Sequence, residues 1–235
     1  MWQGVNLAPA PIWRLAPNNR QFGSIGVRPG LGRARLGFYA APRPGLSLAP
    51  PPPYRLIEIP ENAEGIRETL KHMREQVDEG KLMPGLRKLA IQIVKAARVP
   101  GRDWLGELAA LFQWCRANVR YTLDTNDLEV IQRADQTIET GAGDCDDFVI
   151  LLLTLAEHVG FAGTFCALGF GPIGEYTHVI AFAEIPGELP PIAADCTEPQ
   201  PLGWFPPGAT CAMLCPLSPG SSFATWAGTQ DGFDY

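Results

Sequence analysis

The chain has 235 residues, of which 46% are hydrophobic and 19% are charged, and its formal net charge is −6. This composition provides enough apolar material for one folded core and argues against wholesale disorder. The longest apolar run, residues 148–156, is well short of the roughly 20 residues that a bilayer crossing needs. No basic cluster followed by an apolar stretch opens the chain, so neither a membrane-spanning helix nor a secretory signal peptide is predicted. Without an export signal, the six cysteines are interpreted as thiols.

Residues 1–55 differ from the rest of the chain in charge. They contain seven arginines and no acidic residue, whereas residues 56–235 hold 25 acidic and 12 basic residues. Pro-Gly pairs and four consecutive prolines at 50–53 favour polyproline or irregular chain. We therefore predict an extended arm over residues 1–55, a folded domain over 56–210 and a C-terminal tail over 211–235. Because the arm has no dense basic cluster, its expected partner is an acidic protein surface rather than nucleic acid.

Three helices are predicted before residue 119. Residues 61–79 are rich in helix formers, and the apolar residues of 86–97 recur with the spacing of a helix that buries one face. Asp103 stands where an N-cap belongs, ahead of a third helix that runs to about residue 118. The polar stretch 123–143 is predicted to be a loop.

A fourth predicted helix begins at Cys145 and runs to about His158. Asp144 occupies the N-cap position, and Asp147 can complete a capping-box-like arrangement, so Cys145 falls at the first helical position. Residues 164–170, 177–185 and 191–196 are rich in β-branched, aromatic and small apolar residues and are predicted to be strands. Helices followed by an antiparallel sheet make an α+β fold.

Three residues of this region could carry chemistry together. A helix terminus stabilises a thiolate at Cys145 by only about 0.3–1 kcal/mol, and the neighbouring carboxylates oppose it, so activation needs another cation. His178, at the start of a predicted strand, could form an ion pair with the sulfur and return a proton to the leaving group. Asp195 ends the next strand at an apolar position, where it could orient the imidazole. The predicted catalytic residues are therefore Cys145, His178 and Asp195.

The sequence resembles the transglutaminase-like cysteine proteins in three motifs. These are GDCDDF at 143–148, THV at 177–179 and ADCTEP at 194–199, and the resemblance extends over roughly residues 100–205. It implies a papain-like fold in which the Cys145 helix packs against a sheet that carries His178 and Asp195. It also implies a protein or peptide substrate, no cofactor, and an oxyanion held by the Cys145 N–H with one further donor, for which Gln132 is a candidate. The acyl acceptor stays open between water, for hydrolysis, and an amine, for transamidation.

A closer resemblance connects the chain with small family members encoded in bacteriophage and prophage virion gene clusters. It rests on VRY at 119–121, EVIQ at 129–132 and LGWFPP at 202–207. It implies a protein present in the bacterial host cytoplasm during assembly and then in the virion, with other virion proteins bound through residues 1–55. The alternative function is therefore that of a structural or assembly protein of a phage head or tail that uses the fold without catalysis.

Structural interpretations of the same residues stay open. Cys145 could be a small buried residue, His178 a core histidine and Asp195 a turn cap. His158 and His72 are interpreted as structural, with His72 on a solvated helix face. Cys211 and Cys215 have the spacing of half a zinc site but no second pair, and capping explains the acidic residues at 144, 146 and 147 without calcium. No metal is predicted.

Overall fold

The computed structural model describes residues 34–38, 56–60, 63–124, 128–172, 174–185 and 190–227. Its helices are α1 (Ala63–Lys81), α2 (Pro84–Ala96), α3 (Trp104–Asn118), α4 (Ala134–Thr140) and α5 (Cys145–His158). Its strands are β1 (Ala34–Phe38), β2 (Leu56–Ile59), β3 (Arg120–Tyr121), β4 (Leu128–Ile131), β5 (Ala142–Gly143), β6 (Ala162–Phe170), β7 (Glu175–Glu184), β8 (Ile192–Ala194), β9 (Ala209–Pro216) and β10 (Ala224–Ala227). None of the described helices combines the length and the hydrophobicity needed to cross a bilayer.

Helix α5 lies at the centre of the molecule. Residues 145–156 are buried without exception, which is the behaviour of a helix that is apolar on all faces. The other four helices pack around it on one side, and strands β6 and β7 pack against it on the other. The start of this helix is therefore inside the protein, and its polar groups must find partners there.

The main sheet has the strand order β10-β9-β6-β7-β8. All four of its strand pairs are antiparallel. Two smaller sheets accompany it: β2-β1-β4, and the parallel pair β3-β5. The predicted α+β class is confirmed, as are the four predicted helices and the three predicted strands.

The stretch 123–143 is not the loop that its polar composition predicts. It contains β4, α4 and β5, and these short elements gain their backbone partners from distant segments. Strand β4 pairs with β1, and β5 pairs with β3. Elements of two to seven residues are too short for a periodic pattern to show in the sequence.

Strands of the structure lie within the predicted arm and across the predicted start of the C-terminal tail. Residues 34–38 lie in the segment expected to be polyproline or irregular, yet they form β1 between β2 and β4. The boundary drawn at residue 210 falls inside β9, which pairs with the central strand β6. Both strands pair with strands far along the chain, and the local sequence does not reveal such pairing. The rest of residues 1–55 lies outside the described residues.

A buried carboxyl group fixes the start of α5. The Asp147 side chain is fully buried, and its Oδ1 accepts a hydrogen bond of 2.7 Å from the backbone N–H of Gln132. Its Oδ2 accepts bonds from Gln132 Nε2 at 2.6 Å and from the backbone N–H of Asp144 at 3.4 Å. Gly143 leaves the necessary room, because a Cβ at this position would lie 2.6 Å from Asp147 Cβ. This carboxyl thus joins the segment around Gln132 to the residues that precede Cys145.

Replacing Asp147 by Asn should change how stability depends on pH. Burial raises the pKa of Asp147 to about 7 against the opposing bonds from Gln132, whereas an unfolded chain has an ordinary pKa of about 3.9. The folded state therefore binds more protons than the unfolded state between these values, and the carboxyl stabilises less as the pH rises. We expect the unfolding free energy of the wild type minus that of Asp147→Asn to decrease from about pH 4 to about pH 7.

Urea denaturation of both proteins over this pH range measures that difference. Any loss of stability caused by the Asn amide itself is the same at each pH, so it does not change how the difference in unfolding free energy varies with pH. A difference that stays constant, or that increases with pH, would contradict the prediction.

Candidate active site

Cys145 occupies the first position of α5. Asp144 caps the helix, since its side chain accepts hydrogen bonds from the backbone N–H groups of Asp146 and Asp147 at 3.1 and 3.5 Å. The Cys145 side chain is nearly buried, with 8% of the residue exposed, and its Sγ donates to Asp146 Oδ1 at 3.6 Å. The predicted N-cap and capping box are confirmed, and they place the sulfur at the positive end of the helix dipole.

His178 and Asp195 meet on the edge of the main sheet. Strand β8 pairs antiparallel with β7, and this register continued by one residue sets Asp195 diagonally across from His178. His178 Nε2 lies 2.8 Å from Asp195 Oδ2. The bond occupies Nε2 and leaves Nδ1 as the nitrogen that can exchange a proton with another group.

A register shift lies beside this histidine. Leu168 of β6 is opposite His178, but the next residue, Gly169, is opposite Tyr176, so Thr177 is extra on β7. A β-bulge of this kind redirects side chains and is common next to active sites.

Asp195 is buried yet remains ionised. Burial by itself would raise its pKa, but the hydrogen bond and the positive charge of His178 lower it, assisted by Thr197, so that the net pKa is below the ordinary value. Thr197 donates to Asp195 Oδ1 from both its hydroxyl, at 2.6 Å, and its backbone N–H, at 2.9 Å. The carboxylate is therefore held by three donors, and it fixes the orientation of the ring in turn.

Helix α5, which begins at Cys145, packs against β7, which carries His178. Cys145 belongs to the same apolar cluster as Val179, which follows His178, and Ala194, which precedes Asp195. The negative charges of Cys145 and Asp195 both contribute to the raised pKa of the Tyr121 hydroxyl, so both residues lie within electrostatic range of it. The catalytic roles of Cys145, His178 and Asp195 stay predictions.

Gln132 connects segments at the base of the site. Its side-chain Nε2 donates to Asp147 Oδ2 at 2.6 Å and to the Ala142 carbonyl at 3.2 Å, which occupies both amide protons. Its Oε1 accepts a bond of 3.1 Å from the Thr140 hydroxyl. To act as the oxyanion donor predicted from the resemblance, Gln132 would first have to give up one of these bonds.

Tyr121 is a residue of the site that the sequence analysis did not single out. Strand β3 pairs with β5 so that Tyr121 lies beside Gly143, two residues before Cys145. Burial and the negative charges of Cys145, Asp144, Asp146 and Asp195 raise the pKa of the Tyr121 hydroxyl well above its ordinary value. The hydroxyl therefore stays protonated and is a hydrogen-bond donor close to the sulfur. The signal in the sequence was its place in the VRY motif at 119–121, to which no role in the site was assigned.

One group of potential metal ligands is found in the described part of the chain. It comprises Asp144, Cys145 and Asp146, with one ligand atom of each within 4.8 Å of the others. Asp144 is already engaged in capping α5, and Asp146 accepts a bond from the Cys145 thiol. Coordination through Cys145 would also occupy the proposed nucleophile.

The remaining histidines have partners elsewhere. His158 Nε2 lies 3.3 Å from the Gly80 carbonyl oxygen, in agreement with a structural role. His72 is buried rather than solvated, with Nδ1 3.0 Å from Glu75 Oε2, because the face of α1 that carries it turns inward.

The six cysteines are free thiols. Burial raises the pKa of Cys166 to about 12 and also raises the pKa values of Cys196 and Cys215. Those three thiols are therefore poor nucleophiles at neutral pH.

Several solved structures resemble this fold. One is a protein proposed to be a protease from Parabacteroides distasonis, with 10% identity, a TM-score of 0.46 and coverage of 70% of this chain. A second, proposed to be a cysteine protease from Cytophaga hutchinsonii, has 19% identity and a TM-score of 0.39 and covers 64% of this chain. The third is EGTA-treated LapG from Legionella pneumophila, with 15% identity, a TM-score of 0.38 and 71% coverage.

The three solved structures differ in the share of their own length that this chain covers. This chain spans 36%, 53% and 80% of the three structures, respectively. No curated protein matches it.

A family model matches residues 87–169 and is described as the transglutaminase-like superfamily. The matched segment runs from α2 to the end of β6 and includes Cys145, but it ends before His178 and Asp195. It agrees with the motif resemblance and with the mixed helical and antiparallel-sheet fold. The chain is therefore similar to the transglutaminase-like superfamily over residues 87–169.

Proposed function

We propose that this protein is a cysteine-dependent acyl-transfer enzyme with Cys145 as nucleophile, His178 as base and Asp195 as the residue that orients the base. The observation that carries the proposal is the 2.8 Å bond between His178 and Asp195, with His178 on β7, a strand that packs against the Cys145 helix α5. A buried carboxylate bound to one ring nitrogen is what a histidine base requires to keep a single tautomer. The transglutaminase-like match over residues 87–169 supports the same reaction class.

The proposed mechanism assigns one step to each of these residues. The Cys145 thiol gives its proton to His178 Nδ1, and the resulting thiolate attacks a substrate carbonyl to form a tetrahedral intermediate. The backbone N–H of Cys145, at the helix start, donates to the oxyanion. His178 then protonates the leaving amine, the C–N bond breaks, and an acyl thioester remains on Cys145. Attack by water releases an acid, whereas attack by an amine forms a new amide.

The substrate class is a peptide or isopeptide bond of a protein. Its carbonyl must reach a sulfur that is nearly buried, with 8% of Cys145 exposed, so an extended or terminal segment fits the site better than a compact surface. The choice between hydrolysis and transamidation depends on whether water or a lysine amine reaches the thioester.

Among the six thiols, Cys145 should react first with iodoacetamide. Cys211 is half-buried and is more exposed than Cys145, so accessibility alone predicts that Cys211 reacts first. An ion pair with His178 predicts the opposite order, because the thiolate is the reacting species. Mass spectrometry of briefly labelled, folded protein distinguishes the two.

The variants Cys145→Ala and Cys211→Ala form a matched pair for this measurement. We expect the rapid labelling phase to disappear in the first and to persist in the second. Preferential labelling of Cys211 in the wild type would count heavily against Cys145 as nucleophile.

Asp195→Asn should lower the rate of Cys145 acylation by roughly 10²-fold or more. The amide can donate a hydrogen bond to His178 and so stabilises the wrong tautomer, while its shape is unchanged. Thr197→Val removes one donor from Asp195 Oδ1 and should have a smaller effect in the same direction. Acylation rates with p-nitrophenyl acetate, compared with Cys145→Ala, provide the measurement. Equal rates for Asp195→Asn and the wild type would exclude the orienting role.

We further propose that the protein acts within a phage particle, with the region before β1 as the docking segment. The support is the resemblance to virion-encoded family members and the contrast between seven arginines in residues 1–55 and the acidic remainder. Because β1 pairs with β2 and β4, a deletion that tests docking must stop before residue 34. We expect a chain lacking residues 1–33 to keep its circular dichroism spectrum and to be lost from purified particles. Unchanged incorporation would remove this proposal.

A further inference from the structure

Acyl transfer at Cys145 requires more than one donor for the oxyanion. This inference rests on the proposed function, and it concerns which side chain supplies the second donor. The environment makes the requirement stringent, because Asp144, Asp146 and Asp195 place negative charge around the site and would repel an oxyanion. Gln132 has both amide protons in bonds to Asp147 and Ala142.

Tyr121 is placed beside Gly143, two residues before Cys145, by strand pairing. The backbone N–H of Thr122 donates to the Gly143 carbonyl at 2.9 Å, and that of Arg120 donates to the Gly141 carbonyl at 2.9 Å. These bonds fix Tyr121 beside Gly143, at the separation of neighbouring strands, about 4.8 Å. The Tyr121 ring is half-buried and packs on the apolar cluster that contains Cys145.

The Tyr121 hydroxyl has the chemical character of an oxyanion donor. The surrounding negative charges and burial raise its pKa, so the group is neutral and carries its proton throughout the neutral range. A neutral donor can stabilise the developing negative charge of the oxyanion. Unlike a cationic side chain, it would not form an ion pair with the carboxylates of the site and so would not compete with His178 for them.

We propose that the Tyr121 hydroxyl, together with the backbone N–H of Cys145, forms the oxyanion hole of this protein. The hydroxyl donates a hydrogen bond and does not transfer its proton. Its bond strengthens as the carbonyl oxygen gains charge, so the stabilisation is greater in the transition state than in the ground state. Gln132, by contrast, is a positioning residue that holds Asp147 at the base of α5.

The test compares two reactions of the same thiol. Acylation by p-nitrophenyl acetate passes through a tetrahedral oxyanion, whereas alkylation by iodoacetamide is a direct displacement that forms none. Loss of an oxyanion donor lowers rates by roughly 10²–10³-fold. We therefore expect Tyr121→Phe to lower the Cys145-dependent acylation rate by at least about tenfold and to leave the alkylation rate of Cys145 within about twofold.

The matched control is Tyr176→Phe. Tyr176 also packs on the central cluster, but its hydroxyl interacts with Cys211, and Cys145 is not among the groups that raise its pKa to about 12. We expect this variant to keep both rates, and thermal unfolding of each variant reports its folding.

Each outcome decides the matter. If Tyr121→Phe leaves both rates unchanged, Tyr121 is not an oxyanion donor. If it lowers the acylation and alkylation rates by the same factor, Tyr121 acts in activation of the thiol or in the structure instead. If wild-type acylation is no faster than that of Cys145→Ala, the proposed function fails and this inference fails with it. A selective loss of acylation in Tyr121→Phe alone establishes the role.

Discussion

The structure depends on placing the start of a helix inside the protein. An exposed helix can leave its first N–H groups to water, but α5 is buried from its first residue, so these groups need partners from the chain. Asp144 and Asp147 provide them, and Asp147 in turn requires Gly143 for space and Gln132 for donors. These hydrogen bonds hold the segment around Gln132 and the residues before α5 in place next to Cys145. Burial of the helix thus determines the geometry of the proposed nucleophile.

The sheet contributes the other half of the site through register. Antiparallel pairing of β7 and β8 brings a histidine and an aspartate within 2.8 Å although 17 residues separate them in the chain. The extra residue in β7 shifts the pairing just before His178. A sheet strand holds a side chain more rigidly than a loop does, and a base that must accept a proton in one direction benefits from that rigidity.

The parts of this arrangement that a sequence can reveal are the local ones. The N-cap, the capping box and the position of Cys145 follow from residues 144–147 alone, and the apolar helix after them is evident from its composition. The pairs β3-β5 and β1-β4 could not be predicted, because strands of two to five residues carry no period and are specified by partners elsewhere. Tyr121 was missed for the same reason: its place beside Gly143 exists only once β3 and β5 are paired. Asp195 and His178 were found because adjacent strands and chemical complementarity together restrict the choice.

Two buried carboxyl groups of the site have opposite pKa shifts, and their partners explain the difference. Asp195 is hydrogen-bonded to the His178 ring and to the two Thr197 donors, and its pKa falls despite burial. Asp147 is bonded to neutral donors of Gln132 and the backbone, which do not compensate for burial and the negative charge of Asp124, and its pKa rises to about 7. At neutral pH the first carboxyl is therefore ionised and the second is partly protonated. This difference suits a thiolate at Cys145, because negative charge is kept where it orients His178 and is reduced within the helix that carries the sulfur.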